Sequence, residues 1–384
     1  MMTLNEKRPT ATYIDLDALA FNFHASKRFI GDDVSYMAVV KADAYGHGAV
    51  ECALRLETEG VDWFGVAIPE EGVELRKAGV TRPILCLGSF WPGQEQLIIE
   101  HGLTPVIFSI ETARRLSDLV GAKPINIHVK IDTGMGRVGV RWPDARTFAR
   151  ELKACSNLSI VGIMSHLASA DDPSQDEFTA GQIERFDEAV GVFEREGFSP
   201  QVIDIANSPG SIRCRASRRG MVRLGGALYG LLSDILPNTS ERPELRPVMS
   251  LRSRIAHIKD VPAGEGLGYG QTFHTSRASR IALVPIGYAD GYPRAMSNRG
   301  RVVVNGKFAP VVGRVSMDWT LLDVTDIENA AVGDEVFLIG GSGDTTVTAA
   351  DLACELDTIG YEITCGISPR VPRVYVEKGA QARA

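Results

Sequence analysis

The sequence has no long apolar run. Nothing in it approaches the ~18 consecutive apolar residues of a membrane span, which excludes a membrane-embedded protein. The opening stretch, MMTLNEKRPTATYID, also lacks the apolar core of a secretory signal. Basic charge is in short supply. Lysine and arginine number 41 against 48 acidic residues, a formal net charge of −7, and no long Lys/Arg run occurs, which argues against nucleic acid as a partner. The short cluster Arg213-Cys214-Arg215-Ala216-Ser217-Arg218-Arg219 reads as a solvated helix or loop face. The six cysteines, Cys52, Cys86, Cys155, Cys214, Cys354 and Cys365, show no C-x-x-C or other ligand spacing, so no metal site is expected. Several sit in apolar surroundings, as Cys86 does, and read as reduced thiols of a cytoplasmic protein. Repeats and low-complexity segments are missing as well.

What is present is an ordinary soluble composition, 44% apolar and 23% charged. At 384 residues the chain exceeds the ~250–300 at which single cores stop growing, so two domains are expected. One stretch organises the first of them. Tyr36-Met37-Ala38-Val39-Val40 reads as a strand buried on both faces, and it delivers Lys41 into Ala-Asp-Ala-Tyr-Gly-His-Gly, which cannot continue a strand. A lysine at such a strand mouth either snorkels its head to water or stays in a poor dielectric. There its amine becomes nucleophilic and able to condense with a carbonyl.

From that strand the chain alternates. Strands are expected at Trp63 to Ile68, Pro83 to Leu87, Leu103 to Phe108, Ile125 to Ile131, Leu158 to Met164, Gln201 to Ile205 and Met221 to Leu224, with helices between them. Eight βα units predict a (β/α)8 TIM barrel of the α/β class. A doubly wound open sheet competes, but no G-x-G-x-x-G follows the first strand. From about Leu232 prolines (Pro237, Pro243, Pro247) interrupt the chain, and short β-rich runs follow, beginning with Met249 to Ile258, with a single helix at Thr348 to Leu356. The expected division is a barrel over 1–240, preceded by a short arm, and a mostly β domain over 241–384 that ends in a disordered tail, Lys378 to Ala384.

In a barrel of this kind the active site lies at the C-terminal ends of the strands. The residues there are Lys41, Leu87, Lys130, Asp132, His166, Asn207, Ser208 and Arg223. Polar groups able to hold a phosphorylated cofactor thus converge on one rim. The loop after Asn207-Ser208 and the pair Gly225-Gly226 offer bare backbone N–H groups that suit a phosphate, or they are simple turns.

The stretch AVVKADAYGHG resembles the cofactor-lysine motif of the alanine racemase family. So do KIDTGMGR at 130–137, SHLA at 165–168, ANS at 206–208, VRLG at 222–225, GYG at 268–270, GYADGYPR at 287–294, GRVSMD at 313–318 and GYE at 360–362. These motifs span nearly the whole chain in family order. Ser316 departs from the pattern, a cysteine being frequent there. The resemblance implies pyridoxal 5′-phosphate (PLP) bound through Lys41, with Tyr45, Ser208, Gly225, Gly226 and Tyr361 at its phosphate. It puts Leu87, His166 and Asn207 along the cofactor and Arg223 at the ring nitrogen. Two bases on opposite faces, Lys41 and Tyr269, would exchange the Cα proton of alanine and supply D-alanine for peptidoglycan. The tyrosine would come from the second subunit of a head-to-tail homodimer with composite active sites. Arg137, Met317 and Asp318 would meet the substrate. Tyr288, Arg294, Arg314, Ile359 and Asp171 or Asp172 would line its access channel. Lys130 resembles a lysine that is carbamylated in the family; an ion pair with Asp132 is the alternative. Competing readings are a serine or broader amino-acid racemase, a decarboxylase on the same barrel, and a non-catalytic PLP carrier. Taken alone, a tyrosine between glycines, like a lone histidine, is more often structural.

Overall fold

The computed structural model describes residues 8–121, 123–231, 236 and 241–377. The tail Lys378–Ala384, Pro237 and the expected domain boundary at 240 lie outside the described residues. The apolar runs become a nearly closed parallel barrel. Strand Met221–Leu224 lies beside Ser35–Val39, followed by Trp63–Val66, Ile84–Cys86, Thr104–Ile107, Ile125–Asp132, Leu158–Met164 and Val202–Asp204. The remaining seam is bridged by Gly220 N–H to the Ile203 carbonyl and Arg223 N–H to that of Ala206, both at 3.0 Å. An open sheet would leave two free edges, so the doubly wound alternative is set aside. Because strand side chains alternate, Met37, Leu85, Val106, Met164 and Met221 fill the barrel interior, while Tyr36, Ala38, Phe64 and Ile84 pack outward into the main core.

The second region is β-rich, with more structure than the residues suggested. The arm before the barrel contains a strand, Ala11–Asp15. It pairs antiparallel with Met249–Arg254 and parallel with Arg373–Val376, so both ends of the described chain sit in the C-terminal sheet. The run read as one segment, Met249 to Ile258, is two strands, Met249–Arg254 and His257–Val261, in different sheets. Besides the expected helix, Ala349–Leu356, capped by Thr348, there is a second short helix, Gly360–Cys365. The basic cluster is engaged locally: Arg218 donates to the carbonyls of Ser211, Ile30 and Ile212, and Arg219 pairs with Asp187.

After Lys41 the backbone makes a left-handed turn. Ala42, Asp43, Ala44 and Tyr45 have φ of 52–56° and ψ of 36–52°, a conformation that costs an L-residue about 1–2 kcal/mol. Its surroundings hold it. Glu71 Oε1 accepts from Ala42 N–H at 2.6 Å, Asp43 Oδ1 from Ala49 N–H at 2.8 Å, and His47 Nδ1 lies 3.0 Å from the carbonyls of Ala44 and Tyr45. Gly46 closes the turn at φ +83°, where an added Cβ would lie 2.2 Å from the Thr364 carbonyl oxygen. Gly46→Ala therefore combines backbone strain with a clash against main chain. It should destabilise the cofactor-free protein by about 1–3 kcal/mol, read as a lowered thermal midpoint; an unchanged midpoint would show that the turn is not pinned against the short helix.

Candidate functional site

Strand ends and loops at the C-terminal mouth of the barrel enclose a cavity of about 730 Å³. Lys41, Tyr45, Leu87, Lys130, Arg137, His166, Asp171, Asn207, Ser208, Arg223, Gly225, Gly226, Ile359 and Tyr361 all line it. Ile359 and Tyr361 come from the C-terminal half, delivered by the helix Gly360–Cys365 that packs on the left-handed turn. Lys41 stands where its strand ends. Burial, then the Arg137 guanidinium, push its pKa below the ordinary lysine value, with Glu71 opposing them.

Below Lys41 lies a layer of buried ionisable groups. Arg223 is 3% exposed. Its Nη2 donates to the carbonyls of Ser165 (2.7 Å) and Ile205 (3.2 Å) and stands 3.1 Å from His166 Nδ1. Nδ1 is therefore the acceptor, which leaves the imidazole proton on Nε2. Burial, then Arg223, hold His166 well below the usual histidine pKa, so the ring is neutral. The Nη1 of Arg223 pairs with the Asp204 carboxylate. Lys130 is buried, and its pKa falls well below the ordinary value through burial and then the charges of Arg223 and Arg137. Among the described residues Lys130 makes no ion pair with Asp132. That carboxylate instead accepts from Gly134 N–H (3.0 Å) and Gly136 N–H (3.1 Å), shaping the loop that carries Arg137.

At Gly225 and Gly226 the wall of the cavity is bare backbone. Ser208 Oγ accepts from Gly225 N–H at 2.8 Å. The Asn207 side chain caps the following turn through Gly210 N–H (3.0 Å) and donates to the Leu167 carbonyl (3.1 Å), so it braces the loop. A Cβ on Gly225 would lie 2.6 Å from Tyr45 Oη, and one on Gly226 only 2.0 Å from Tyr361 Oη. Two phenol hydroxyls, a serine hydroxyl and side-chain-free N–H groups thus form a cradle that fits a phosphate. The residues present accordingly suit a phosphorylated aldehyde cofactor with an amine partner at Lys41.

Tyr269, Tyr288, Arg294, Arg314, Met317 and Asp318 do not line this cavity. They occupy one end of the β-rich region. The Tyr269 turn lies against Arg314, the Tyr288 and Ala289 N–H groups donate to the carbonyls of Ser316 and Met317, and Asp318 pairs with Arg370 at 2.8 Å. Tyr269 is 71% exposed and Met317 52%. Asp172 caps the turn at Ser174. Locally, Glu71 reads only as part of the acidic first turn of the helix that opens at Pro69, and Asp204 and His128 carry no motif. An acid or imidazole inside an apolar strand run (Val202-Ile203-Asp204-Ile205, Ile127-His128-Val129) was the available signal for the last two.

Residues 14–233 match the family model for the alanine racemase N-terminal domain, and residues 248–375 that for its C-terminal domain. An alanine racemase of Halothermothrix orenii is 44% identical over 375 residues, 97% of this chain and 98% of that protein. Among solved structures, the alanine racemase of Clostridium difficile 630 aligns with a TM-score of 0.92 at 38% identity, covering 98% of this chain and 99% of that one. The Bacillus anthracis alanine racemase with bound L-Ala-P gives 0.90 at 34% identity, covering 98% and 97%. The Bartonella henselae alanine racemase with covalently bound pyridoxal phosphate gives 0.86 at 29%, covering 96% and 99%.

Competitive acetylation of the cofactor-free protein across a pH series tests the placement of Lys41. Burial and Arg137 both favour the neutral amine, so Lys41 should reach half-maximal reactivity at a lower pH than the exposed lysines, and Arg137→Gln should move that midpoint up. A Lys41 that titrates together with the surface lysines would contradict a desolvated position.

Proposed function

The chain belongs to the alanine racemase family of PLP-dependent enzymes, and from that premise we propose that it interconverts L- and D-alanine with two bases, Lys41 and Tyr269, supplying D-alanine to peptidoglycan. The observation that supports this reading most is the meeting, in one cavity, of a low-pKa lysine, a neutral histidine, a buried arginine and a phosphate cradle. When bound, PLP supplies an electron sink that makes the alanine Cα proton acidic. Everything else falls to the side chains. The Tyr45, Ser208, Gly225, Gly226 and Tyr361 cradle would hold the phosphate, with Leu87, Asn207 and His166 along the cofactor. Arg223 would face the ring nitrogen, where it has no acceptor to offer and no proton to give up. A ring nitrogen left unprotonated makes a weaker sink, which suits reversible proton exchange over deeper fragmentation.

Racemisation needs a proton removed on one face and delivered on the other. The Lys41 amine serves one face. The phenol of Tyr269 serves the other from a partner subunit, since in its own chain this residue lies outside the cavity on an exposed turn. We place Met317 and Asp318 of that same end over the substrate, Arg137 bidentate on its carboxylate, and Tyr288, Arg294, Arg314, Ile359 and Asp171 around the access channel. A methyl-sized pocket rejects one added hydroxyl only weakly, so serine would be a poor substrate and not an excluded one. The six unpaired cysteines suit a reducing cytoplasm. Crowded by cations and low in pKa, Lys130 is suited to take up CO2 as a carbamate, forming an N–C bond and releasing a proton. That would place an anion beside Arg137.

Lys41→Ala and Tyr269→Phe should each lower racemisation by about 10²–10⁴-fold. Refolded as a mixture they should recover about a quarter of wild-type activity, one intact site in half of the dimers. A mixture of proven heterodimers with no recovery would sink the composite site. In Tyr269→Phe, exchange of the Cα hydrogen with D₂O should survive for one enantiomer only. Carbon-13 bicarbonate should give a carbamate resonance in the wild type that Lys130→Met abolishes; a spectrum without it leaves Lys130 a plain amine.

A further inference from the structure

Beneath the cavity the barrel interior carries an ion pair among inward positions that are elsewhere filled by Met37, Leu85, Val106, Met164 and Met221. Asp204 and His128 are wholly buried, and Arg223 nearly so. The Asp204 carboxylate meets Arg223 Nη1 on one side and lies 3.8 Å from His128 Nδ1 on the other. His128 stands edge-on to Trp63, with ring centroids 5.3 Å apart, and occupies the space left by Gly162, where a Cβ would sit 2.3 Å from the imidazole. Neither ring nitrogen of His128 makes a hydrogen bond. Burial, then Arg223, push its pKa down to about 3, so the ring is uncharged. The neutral His128 therefore fills volume beside the Asp204 carboxylate, and the cation set against that carboxylate is Arg223. A carboxylate in this place has no other reason to tolerate desolvation.

We propose that Asp204 is a positioning residue for Arg223: it fixes the guanidinium from below and offsets part of its charge, so that the cofactor ring meets the outer edge of an ion pair. This rests on the PLP reading of the cavity. The carboxylate and the two carbonyls of Ser165 and Ile205 together fix both terminal nitrogens, which leaves the guanidinium one orientation. The positive charge of Arg223 already lowers both Lys41 and Lys130, and without Asp204 it would act on both with nothing beside it to offset it.

The test titrates PLP into the cofactor-free full-length wild type, Asp204→Asn, Arg223→Gln and the double variant, reading the dissociation constant and the visible absorbance maximum. Thermal midpoints are measured before PLP is added. Asp204→Asn should loosen PLP roughly tenfold, a coupling usual for residues in one ion pair, and displace the absorbance maximum. In the Arg223→Gln background the same substitution should change neither. Without cofactor, Asp204→Asn should melt below the double variant, because only the single variant leaves a buried charge unpaired. Wild-type affinity and spectrum in a folded Asp204→Asn protein would overturn the proposal, as would an equal effect in the Arg223→Gln background. Should Asp204→Asn fail to fold, Arg223→Gln and the double variant still decide it: equal affinities and spectra support the proposal and unequal ones overturn it. A wild type that takes up no PLP sinks the cofactor reading instead, and the order of the cofactor-free melting points still tests the Asp204–Arg223 coupling.

Discussion

Four basic side chains, Lys41, Lys130, Arg137 and Arg223, meet around one cavity at the mouth of the barrel, and the design of the site follows from how the fold tolerates them. Like charges a few ångströms apart cost on the order of 1–4 kcal/mol per pair even at an effective dielectric of about 20. Each group answers this differently. Arg137 stays exposed, on a loop shaped by Asp132. Arg223 sinks into the barrel against a carboxylate. Lys41 and Lys130 form no ion pair among the described residues and lose proton affinity instead. A lysine that takes a proton has to begin neutral, so on the proposed reading the crowding that costs stability would also ready Lys41.

The backbone that presents Lys41 is itself strained. Four successive left-handed residues persist only where neighbours over-determine them, and those neighbours come from distant parts of the sequence. Glu71, at the start of the helix Pro69–Lys77, holds Ala42; Thr364 abuts Gly46; and Arg373 Nε donates to the Gly46 carbonyl at 3.2 Å. The C-terminal region is thus part of the lysine's mounting, and its own last strand is tied back through Ala11–Asp15 to the chain's beginning. Tyr361 reaches the cradle on that same mounting. Strain in the turn after Lys41 and placement of the Tyr361 phenol are therefore mechanically linked.

Much of this was readable from residues alone because it is local. An unbroken apolar run ended by breakers marks a buried strand and its mouth, and repeating it eight times leaves little but a barrel. Polar residues at successive strand ends then fall on one rim, which located Lys41, His166, Ser208 and Arg223. What escaped depends on distant partners. Ala11–Asp15 is a strand only because Arg373–Val376 lies beside it. Met249 to Ile258 reads as one run, since nothing local marks where the chain leaves one sheet for another. The left-handed turn contradicts the intrinsic preference of Ala42, Ala44 and Tyr45. Asp204 looks like a misplaced acid until Arg223 is set next to it. Tyr269, on an exposed turn, owed its assignment to the family motif and not to its own surroundings.

On the proposed reading, an arginine under the cofactor ring and an aspartate under the arginine make sense as one arrangement. A guanidinium offers donors at short range, where direction matters, but its charge also acts at long range, where it would depress Lys41 and Lys130 further. Pairing it with Asp204 would keep the first effect and offset part of the second, and the neutral His128 closes the lower side without adding charge. Arg137 is then the largest unpaired charge acting on Lys41. On the proposed reading it faces the incoming substrate carboxylate. Binding would neutralise that charge, and the pKa of Lys41 would rise as the alanine Cα arrives beside it. The amine would then be readily deprotonated while the site is empty and more basic once there is a proton to take, with no movement of the backbone required.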